Sequence, residues 1–478
     1  MKMVIGGKLV GASDGATIDV INPATGKVID TIPAATEQDV QDAVRQAQKG
    51  QKAWAQVPVY KRGEILRKFI ELVVKNKEDL AQTLSQETGK PITEARAEIG
   101  NIPIAFEAFI EKAKHLYGEV IHPGREAGQE GNVLITVHEP VGVIACVIPF
   151  NFPCDLFDQK VAPALMAGNA AIVKPSTDNP LTLCMLTALL VEAGVSDGAV
   201  EIITGRGSQV GNWLCQHPGV QAITLTGSTE VGIETAKNAA ANMTHVALEL
   251  GGNDAFIVLE DGDVDLAVEE LVWGRMYNGG QVCCASKRFL IHNSLKEEFT
   301  KKAVERIRRI KVGDPADESS QMGCMISEKA AKKIEAEVAK TVEQGGKIVL
   351  GGHRSGAYYE PTVIVDVPKT ADVATDMEIF GPVVPIIGFD TEEEAVAIAN
   401  SSKFGLCGCV FTRDMKAAYR VCGQLQCGGT VINGASFFRS FEMPFGGYKF
   451  SGLGTEGVLS TFDEVTRTKT IVLKNIAG

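Results

Sequence analysis

The stretch VGVIACVIPF, residues 141–150, is a continuous apolar run, as expected of a strand that is buried on both faces of a parallel sheet. Helical and strand-like segments follow it in alternation: LFDQKVAPALMAG (156–168), NAAIVKP (169–175), NPLTLCMLTALLVEAG (179–194), AVEIITG (199–205) and AITLTG (222–227). A further helix is expected between the last two segments. Strands that alternate with helices form parallel sheets with helices on both faces. We therefore predict a doubly wound α/β unit in this part of the chain.

The segments outside this unit show related patterns. Residues 37–115 carry apolar residues at three-to-four spacing, which predicts helices. A second alternation of strands and helices extends from DAFIVL (254–259) to GTVIN (429–433). The tail RTKTIVLKN (467–475) alternates like an edge strand. We therefore expect two α/β units and a small additional β element.

Length and charge narrow the class of function. The chain has 478 residues, too many for one compact core, so two or three domains are expected. Its formal net charge of −12 argues against nucleic acid and anionic membranes as partners, because both require a basic surface. The charge does not exclude a small anionic substrate, since a pocket needs only one or two local cations.

The N-terminal sequence and the cysteines are typical of a protein that works in a cytoplasm. The stretch MKMVIGGKLVGASDG lacks an apolar core of signal-peptide length, and no uncharged apolar run reaches the ~18 residues of a membrane helix. The eleven cysteines have no framework spacing, which indicates reduced thiols in a cytoplasm. CxxC and paired-histidine motifs are absent, so we expect no zinc or other metal site.

The stretch GGQVCCASKR, residues 279–288, places two adjacent cysteines after a flexible turn. They are either two small core residues or a nucleophile with a neighbour. A free thiol has a pKa of ~8.5 and needs a base or a favourable dipole to react at neutral pH.

Two further residues could complete such a site. Glu249, in LELGGND, follows a strand-like run and precedes two glycines, so it is a candidate base rather than a solvated surface residue. Asn151, in PFNFP, could donate a hydrogen bond to a developing oxyanion, or it could be an ordinary turn asparagine.

Seven motifs together carry a specific resemblance. They are, in chain order, PFNFP, IVKPS, TGSTEVG, LELGGN, GQVCCA, EIFGPV and PFGGYKFSGLG. With these motifs the chain resembles the non-acylating, NAD(P)-dependent members of the aldehyde dehydrogenase superfamily. The resemblance extends from about residue 20 to the C-terminus. The resemblance implies a Rossmann-like cofactor domain, an α/β catalytic domain and a small β oligomerisation hairpin.

The resemblance also assigns chemical roles. It makes Cys283 the nucleophile and Cys284 a packing neighbour. The Asn151 amide and the Cys283 backbone N–H would hold the oxyanion, and hydride transfer to the nicotinamide would leave a thioester. Glu249 would activate water to hydrolyse the thioester to a carboxylic acid.

For the cofactor, the resemblance implies binding at several loops. Gly227 and Ser228 would contact the pyrophosphate at a helix N-terminus, Lys174 would lie beside the adenosine ribose, and Glu378 and Phe380 would hold the nicotinamide ribose and ring. The remaining cofactor residues implied are Ile148, Ser176, Thr177, Gly207 and Leu250. Gly207 belongs to GRGSQVG (205–211), which is one residue longer than the usual dinucleotide fingerprint.

Position 177 bears on the choice between NAD and NADP. Many NAD-dependent members of the superfamily have a glutamate three residues after the lysine of IVKPS, where a carboxylate would repel a 2′-phosphate. This chain has Thr177 there, and Lys174 supplies positive charge. We therefore expect NADP to be accepted, alongside or in preference to NAD.

The substrate channel is less defined. The resemblance implies that it is lined by Phe152, Leu156, Gln159, Val282 and Arg439. Arg439 has two alternative roles: it binds a carboxylate or phosphate of the substrate, or it forms a salt bridge with Glu442. Asp155 and Asp158 lie close in sequence and argue against an anionic substrate. The chain resembles the lactaldehyde, succinate-semialdehyde and non-phosphorylating glyceraldehyde-3-phosphate members, and the sequence does not choose among these small aldehydes.

Two alternatives belong to other functional classes. A CoA-acylating aldehyde dehydrogenase would often lack the glutamate base, so Glu249 favours hydrolysis. A non-catalytic binding or structural protein on the same fold, such as a lens crystallin, would be expected to lose the cysteine or the glutamate.

The resemblance also implies a domain organisation. We expect a NAD(P)-binding domain at 1–117 and 139–250, a catalytic domain at 251–460 and an oligomerisation segment at 118–138 and 461–478. An unpaired edge strand favours a partner that covers it, so a homodimer or homotetramer is expected.

Overall fold

The computed structural model of the protein describes residues 1–476. Within this range the helices are α1 (Glu37–Ala55), α2 (Val59–Lys75), α3 (Lys77–Thr88), α4 (Ile92–Ala113), α5 (Pro153–Ala167), α6 (Leu181–Ala193), α7 (Asn212–Gln216), α8 (Thr229–Ala240), α9 (Val264–Met276), α10 (Lys296–Ile307), α11 (Glu328–Glu343), α12 (Glu392–Asn400), α13 (Met415–Gln424) and α14 (Thr461–Val465).

The strands in the same range are β1 (Met3–Ile5), β2 (Lys8–Val10), β3 (Thr17–Asn22), β4 (Lys27–Pro33), β5 (Val120–Ile121), β6 (Val133–Pro140), β7 (Val143–Val147), β8 (Ala170–Lys174), β9 (Val200–Ile202), β10 (Ala222–Thr226), β11 (His245–Glu249), β12 (Asp254–Val258), β13 (Ser286–His292), β14 (Lys347–Leu350), β15 (Arg354–Ser355), β16 (Tyr358–Tyr359), β17 (Thr362–Val365), β18 (Val383–Phe389), β19 (Phe404–Gly405), β20 (Cys407–Phe411), β21 (Gly429–Ile432), β22 (Tyr448–Lys449), β23 (Gly452–Leu453) and β24 (Thr466–Leu473).

The predicted buried strand lies in the middle of the first large sheet, which has the order β2-β1-β9-β8-β7-β10-β11-β23. Strands β9, β8, β7, β10 and β11 are parallel. Along β7, Ile144 and Cys146 enter one apolar cluster, and Val143 and Ala145 enter another. Both faces of the sheet are therefore covered, which explains the continuous apolar run and confirms the prediction made from it.

The second large sheet has the order β14-β17-β18-β13-β12-β20-β21 and is parallel except for the pair β14 and β17. Here too both faces are buried, since Ile257 enters one apolar cluster while Phe256 and Val258 enter the other. The predicted fold class, two α/β units with a small β element, is confirmed.

Buried Arg288 ties the second sheet to the loops around it. Its guanidinium donates hydrogen bonds to four backbone carbonyls, those of Asn253, Ala374, Ile398 and Ala399. Backbone carbonyls that would otherwise be buried without partners are satisfied in this way.

The small sheet has the order β24-β6-β5, with β24 antiparallel to β6 along its whole length. The tail therefore forms an edge strand, as its alternation predicts, and Val472 on it is 54% exposed. Residues 477 and 478 of the predicted oligomerisation segment lie outside the described residues.

The end of the chain returns to the first sheet. β23 pairs with β11, and α14 packs against α5. Val458, Phe462 and Val465 are buried in the same apolar cluster as Ile144, and this burial anchors the segment. Residues 452–465 thus contact the first sheet, and the domain boundary expected at residue 460 stays a prediction.

No helix between residues 1 and 476 combines the length and the apolar character needed to cross a membrane.

Candidate active site

A cleft of about 510 Å³ lies where the carboxyl ends of the parallel strands of the first sheet meet residues of the second α/β unit. Asn151 follows β7, Gly227 follows β10 and Leu250 follows β11, and all three line the cleft. Cys283 and Glu378 line it from the other unit. Loops at the carboxyl ends of parallel strands are the usual location of ligand sites in open α/β sheets.

The turn before the two cysteines has an unusual backbone. Asn278, Gly279 and Gly280 are all left-handed, with φ of 50°, 60° and 73°. A Cβ on Gly280 would lie 2.4 Å from the carbonyl oxygen of Gly381, so only glycine fits there. The turn is thereby pressed against the segment that carries Glu378.

Two buried side chains hold this arrangement. Gln281 donates to the Asn278 carbonyl at 3.1 Å and accepts from the Ile326 N–H at 2.9 Å. Arg275, at the end of α9, donates to the carbonyls of Ile379 and Val383 at 2.8 and 2.7 Å. The thiol turn and the segment 378–383 are therefore fixed to each other.

The two adjacent thiols have different surroundings. Cys283 lines the cleft, whereas Cys284 is buried in an apolar cluster with Val282, Ala285 and Phe445. A hydrogen bond from the Cys284 thiol, together with neighbouring cations, lowers the pKa of Cys283 to about 7 against the effect of burial. The same hydrogen bond and burial raise the pKa of Cys284 well above its usual value. Cys283 is therefore the thiol with the properties of a nucleophile.

Glu249 is the last residue of β11 and is only 4% exposed. Neither carboxyl oxygen has a hydrogen-bond partner within residues 1–476. Burial raises its pKa well above the usual value, and nearby Glu456 raises it further, while Arg439 and Lys160 oppose the shift. Lys160 and Glu456 form a buried ion pair. Glu249 is not among the residues that line the cleft.

Two hydrogen bonds to its backbone carbonyl hold Asn151 in place. Its carbonyl accepts hydrogen bonds from Lys90 Nζ at 3.0 Å and Asn278 Nδ2 at 2.9 Å. In the part of the chain that the structure describes, its side-chain amide has no hydrogen-bond partner, so the amide can donate to a bound oxygen.

Half of the predicted cofactor residues line the cleft. They are Gly227, Ser228, Leu250, Glu378 and Phe380. Ser228 also caps α8 by accepting the N–H of Val231 at 3.4 Å. This helix therefore begins at the wall of the cleft, where the TGSTEVG motif predicts a pyrophosphate contact.

The other predicted cofactor residues lie outside this cleft. Ile148 is buried, Ser176 is half-buried and Gly207 is exposed. Lys174 is buried, donates to the Pro175 carbonyl at 2.6 Å, and has a pKa lowered by burial to about 8.

Thr177 lines an adjoining cavity of about 730 Å³, which shares Asp178, Ile326 and Ser327 with the cleft. Its hydroxyl donates to the Gly205 carbonyl at 3.0 Å. Arg206 and Asp178 line the same cavity, and the sequence reasoning missed both. The available signal was their position in the sequence, since Asp178 lies two residues after the IVKPS motif and Arg206 is the second residue of GRGSQVG.

The predicted substrate residues do not line the cleft but surround Cys283 in part. Phe152 and Val282 share an apolar cluster with Cys283, and Phe152 is stacked on Tyr277 at a centroid distance of 6.1 Å. Leu156 packs on the core of the first unit. Gln159 is 2% exposed, and its carbonyl oxygen has no partner within the described range.

Arg439 stacks on Phe445, with its Cζ 3.5 Å from the ring centroid. Its buried Nη1 has no hydrogen-bond partner among residues 1–476. In the same range Arg439 forms no ion pair with Glu442, so the salt-bridge alternative is not observed. The positive charge of Arg439 favours the anionic forms of Cys283 and Glu249. A partly buried guanidinium with a free donor is suited to an anionic ligand.

The two aspartates near the channel carry less charge than their sequence suggests. Burial raises the pKa of Asp155 to about 7, and nearby Glu98 adds to the effect. Burial also raises the pKa of Asp158 well above its usual value, so the charged form of this side chain is disfavoured too. Because burial disfavours their charged forms, the two aspartates argue less strongly against an anionic substrate.

Known proteins resemble the chain over nearly its full length. The family model described as "Aldehyde dehydrogenase family" matches residues 10–471. Glutarate-semialdehyde dehydrogenase of Pseudomonas putida is 37% identical over 95% of this chain and 93% of its own. Lactaldehyde dehydrogenase of Methanococcus maripaludis is 37% identical over 99% and 100%. A crystal structure of an E. coli NADP-dependent enzyme superposes with a TM-score of 0.96 at 34% identity, over 99% and 98% of the two chains.

The contrast between the two thiols predicts selective alkylation. With limiting iodoacetamide at pH 7, Cys283 should be modified and Cys284 should remain free, as read from peptide masses. The rate should rise with pH around a midpoint of about 7, because only the thiolate reacts and the pKa is lowered. Cys284→Ala should move this midpoint upward, since it removes the hydrogen bond. Equal modification of both thiols, or a midpoint at the ~8.5 of a free thiol, would contradict the assignment.

Proposed function

The chain belongs to the aldehyde dehydrogenase family, and on this premise we propose that its cleft oxidises a small aldehyde to a carboxylic acid through a thioester on Cys283. The observation that carries the proposal is the thiol itself. Cys283 has a lowered pKa and lines a cleft at the carboxyl ends of a parallel sheet, which Ser228 at the N-terminus of α8 also lines. A nucleophilic thiol on the wall of a cleft that can hold a hydride acceptor suits hydride removal from a covalent adduct.

The residues present fit a nicotinamide dinucleotide. The cleft and the adjoining cavity share three residues and together extend from Cys283 to Thr177. A Cβ on Gly251 would lie 2.4 Å from Glu378 Oε2, so glycine allows this carboxylate to reach the cleft wall. Gly227 and Ser228 would hold the pyrophosphate, Glu378 the nicotinamide ribose. When bound, the cofactor accepts the hydride that leaves the substrate carbon.

The addition step uses Cys283 and Asn151. The thiolate forms a bond to the aldehyde carbon, and the carbonyl electron pair moves to the oxygen. The unpaired Asn151 amide donates to this oxyanion, and the rigid backbone of Asn151 keeps the amide in place. Loss of hydride from the same carbon restores the carbonyl and leaves a thioester on Cys283.

The hydrolysis step uses Glu249. Its carboxylate takes a proton from water as the water oxygen attacks the thioester carbon, and the carbon–sulfur bond then breaks to release the acid and the thiolate. Because the pKa of Glu249 is raised, its basic form increases as pH rises through that pKa. The rate of hydrolysis should therefore increase with pH. The presence of this base supports hydrolysis over transfer to CoA.

The substrate class follows from Arg439. We propose a short aldehyde with a terminal anion, such as a carboxylate, because Arg439 keeps a free donor close to Cys283 and has no acidic partner at Glu442. The semialdehyde named in the P. putida relative carries such a carboxylate. Lactaldehyde, named in the M. maripaludis relative, is neutral and is the competing candidate.

For the cofactor we propose that NADP is accepted. Thr177 places a hydroxyl, and not a carboxylate, in the adjoining cavity, and Arg206 adds an exposed cation there. With a pKa of about 8, Lys174 remains mostly protonated at pH 7. Asp178 in the same cavity acts in the opposite direction.

We further propose a homodimer or homotetramer that works in a cytoplasm. Support for self-association comes from β24, whose residues are almost all exposed at the edge of its sheet. Support for the compartment comes from the cysteines, which are all free.

Initial rates test the reaction and its substrate. Wild type should reduce NADP or NAD with succinate semialdehyde, and Cys283→Ser should not. Arg439→Met should lower kcat/KM for succinate semialdehyde about 10- to 100-fold more than that for butanal, the loss expected when a hydrogen bond between charged groups is removed. The smaller loss with butanal reports the removal of a cation that favours the Cys283 thiolate with every substrate. Arg413→Met, at an exposed ion pair, is the control. If lactaldehyde and butanal are preferred and Arg439→Met changes nothing, the anionic substrate is wrong. Equal activity of Cys283→Ser would refute the mechanism.

The same assay with subsaturating nucleotides tests the cofactor. Arg206→Gln should lower kcat/KM for NADP about tenfold and spare that for NAD, because only NADP carries the 2′-phosphate. Thr177→Glu should abolish use of NADP by repulsion. The exposed Arg125→Gln controls for the loss of one positive charge. A wild-type enzyme that uses NAD alone would contradict the proposal.

A further inference from the structure

Lys287, the second residue of β13, is a buried cation beside the thiol turn. Its side chain is only 1% exposed. Its ammonium donates a hydrogen bond to the carbonyl of Cys283 and forms an ion pair with Glu378 Oε1 at 3.1 Å. A buried lysine charge is costly unless it is paired, so these contacts fix where the ammonium lies.

Glu378 connects this cation to the cleft. Its carboxylate accepts the N–H of Gly252 at 3.3 Å, and its side chain is 18% exposed, on the cleft wall. The Lys287 ammonium also lies 5.8 Å from the ring centroid of Phe380. One ammonium thus contacts the residue that carries the thiol and approaches both side chains proposed to hold the nicotinamide half of the cofactor.

We propose that Lys287 is a positioning residue that couples the thiol to the cofactor site. It orients the Glu378 carboxylate for the nicotinamide ribose and places positive charge beside the Cys283 sulfur. The first half of this inference rests on the proposed function of the cleft. The second half concerns the thiol alone and holds for the protein without cofactor.

The charge balance around the thiol leaves a clear role for Lys287. The titratable groups that act on Cys283 are Cys284, Lys287, Arg439, Glu378, Glu249, Asp254 and Cys407. Lys287 and Arg439 are the cations in this set. The carboxyl groups and the remaining thiols oppose the thiolate or, for Cys284, donate a hydrogen bond to it. Removing Lys287 therefore removes one of two positive charges that favour the reactive form.

A lysine suits this position better than an arginine. Its ammonium is a compact charge with three donors, which can serve the Cys283 carbonyl and the Glu378 carboxylate at once. Arginine keeps the charge but presents a planar fork of different reach. Arginine should therefore preserve the electrostatic effect on the thiol more fully than the orientation of Glu378.

The test uses two measurements that do not depend on aldehyde oxidation. The first is the pH midpoint of Cys283 alkylation by iodoacetamide in the protein without nucleotide. The second is the dissociation constant for NADP by titration calorimetry. The variants are Lys287→Met and Lys287→Gln, which remove the charge, and Lys287→Arg, which retains it. The exposed Lys301→Met is the matched control.

The inference expects both measurements to change together. Lys287→Met and Lys287→Gln should raise the alkylation midpoint by about one pH unit, the shift expected for loss of a nearby opposite charge, and weaken NADP binding about tenfold. Lys287→Arg should return the midpoint toward the wild-type value, and Lys301→Met should alter neither quantity. Lys287→Gln supplies the comparison if Lys287→Met does not fold.

Two results would overturn it. One is a pair of uncharged variants with lowered thermal midpoints but unchanged alkylation and NADP binding, which would make Lys287 a structural residue only. The other is a change in one measurement without the other in Lys287→Met and Lys287→Gln, which would exclude coupling. If wild type instead oxidised no aldehyde and bound no NADP, the proposed function would fail, while the alkylation data would still report the effect of Lys287 on the thiol.

Discussion

The contact between Gly280 and the Gly381 carbonyl is the constraint on which the site depends. There is no room for a Cβ at Gly280, and three successive left-handed residues are needed to bring the turn so close. The contact joins the segment that carries the thiol to the segment that carries Glu378. Arg275 and Lys287 strengthen the same junction with hydrogen bonds and an ion pair. The distance between the proposed nucleophile and the proposed cofactor site is thereby set by backbone packing and reinforced by these two side chains.

The neighbours of the proposed nucleophile and of the proposed base shift the two pKa values in opposite directions. Both Cys283 and Glu249 are largely removed from solvent, which by itself disfavours the charged form of each. For Cys283, a hydrogen bond from Cys284 and nearby cations outweigh that effect and lower the pKa. For Glu249, Arg439 and Lys160 do not outweigh burial and Glu456, so the pKa is raised. The thiolate is therefore favoured for the addition step, while a carboxylate with a raised pKa is a stronger base for the hydrolysis step.

Much of the fold could be predicted because it depends on local patterns. The apolar run at 141–150 and the two alternations of strands and helices correspond to the two large sheets. The packing of residues 452–465 on the first sheet could not be predicted from the sequence, because β23 has only two residues and α14 only five. Such short elements carry too little periodicity to show which core they join.

The motifs named residues of the candidate site, but they did not predict which of its side chains contact each other. The resemblance named Cys283, Glu249 and Asn151, and the structure brings Cys283 and Asn151 to one cleft. The pairing of Lys287 with Glu378 joins residues far apart in sequence, which no local pattern reveals. Of the two alternatives left open for Arg439, the salt bridge with Glu442 is not formed within residues 1–476, and the guanidinium stacks on Phe445 instead.

The most direct test of the central claim is to trap the acyl intermediate in Glu249→Gln. This variant should be mixed rapidly with succinate semialdehyde and NADP, with reduced cofactor followed by absorbance and the protein by intact and peptide mass. The account predicts a burst of about one equivalent of reduced cofactor, then very slow turnover, with the acyl group on the peptide that contains Cys283. Wild type should accumulate less of this adduct. Full turnover by Glu249→Gln, or an acyl group on Cys284 instead, would contradict the account.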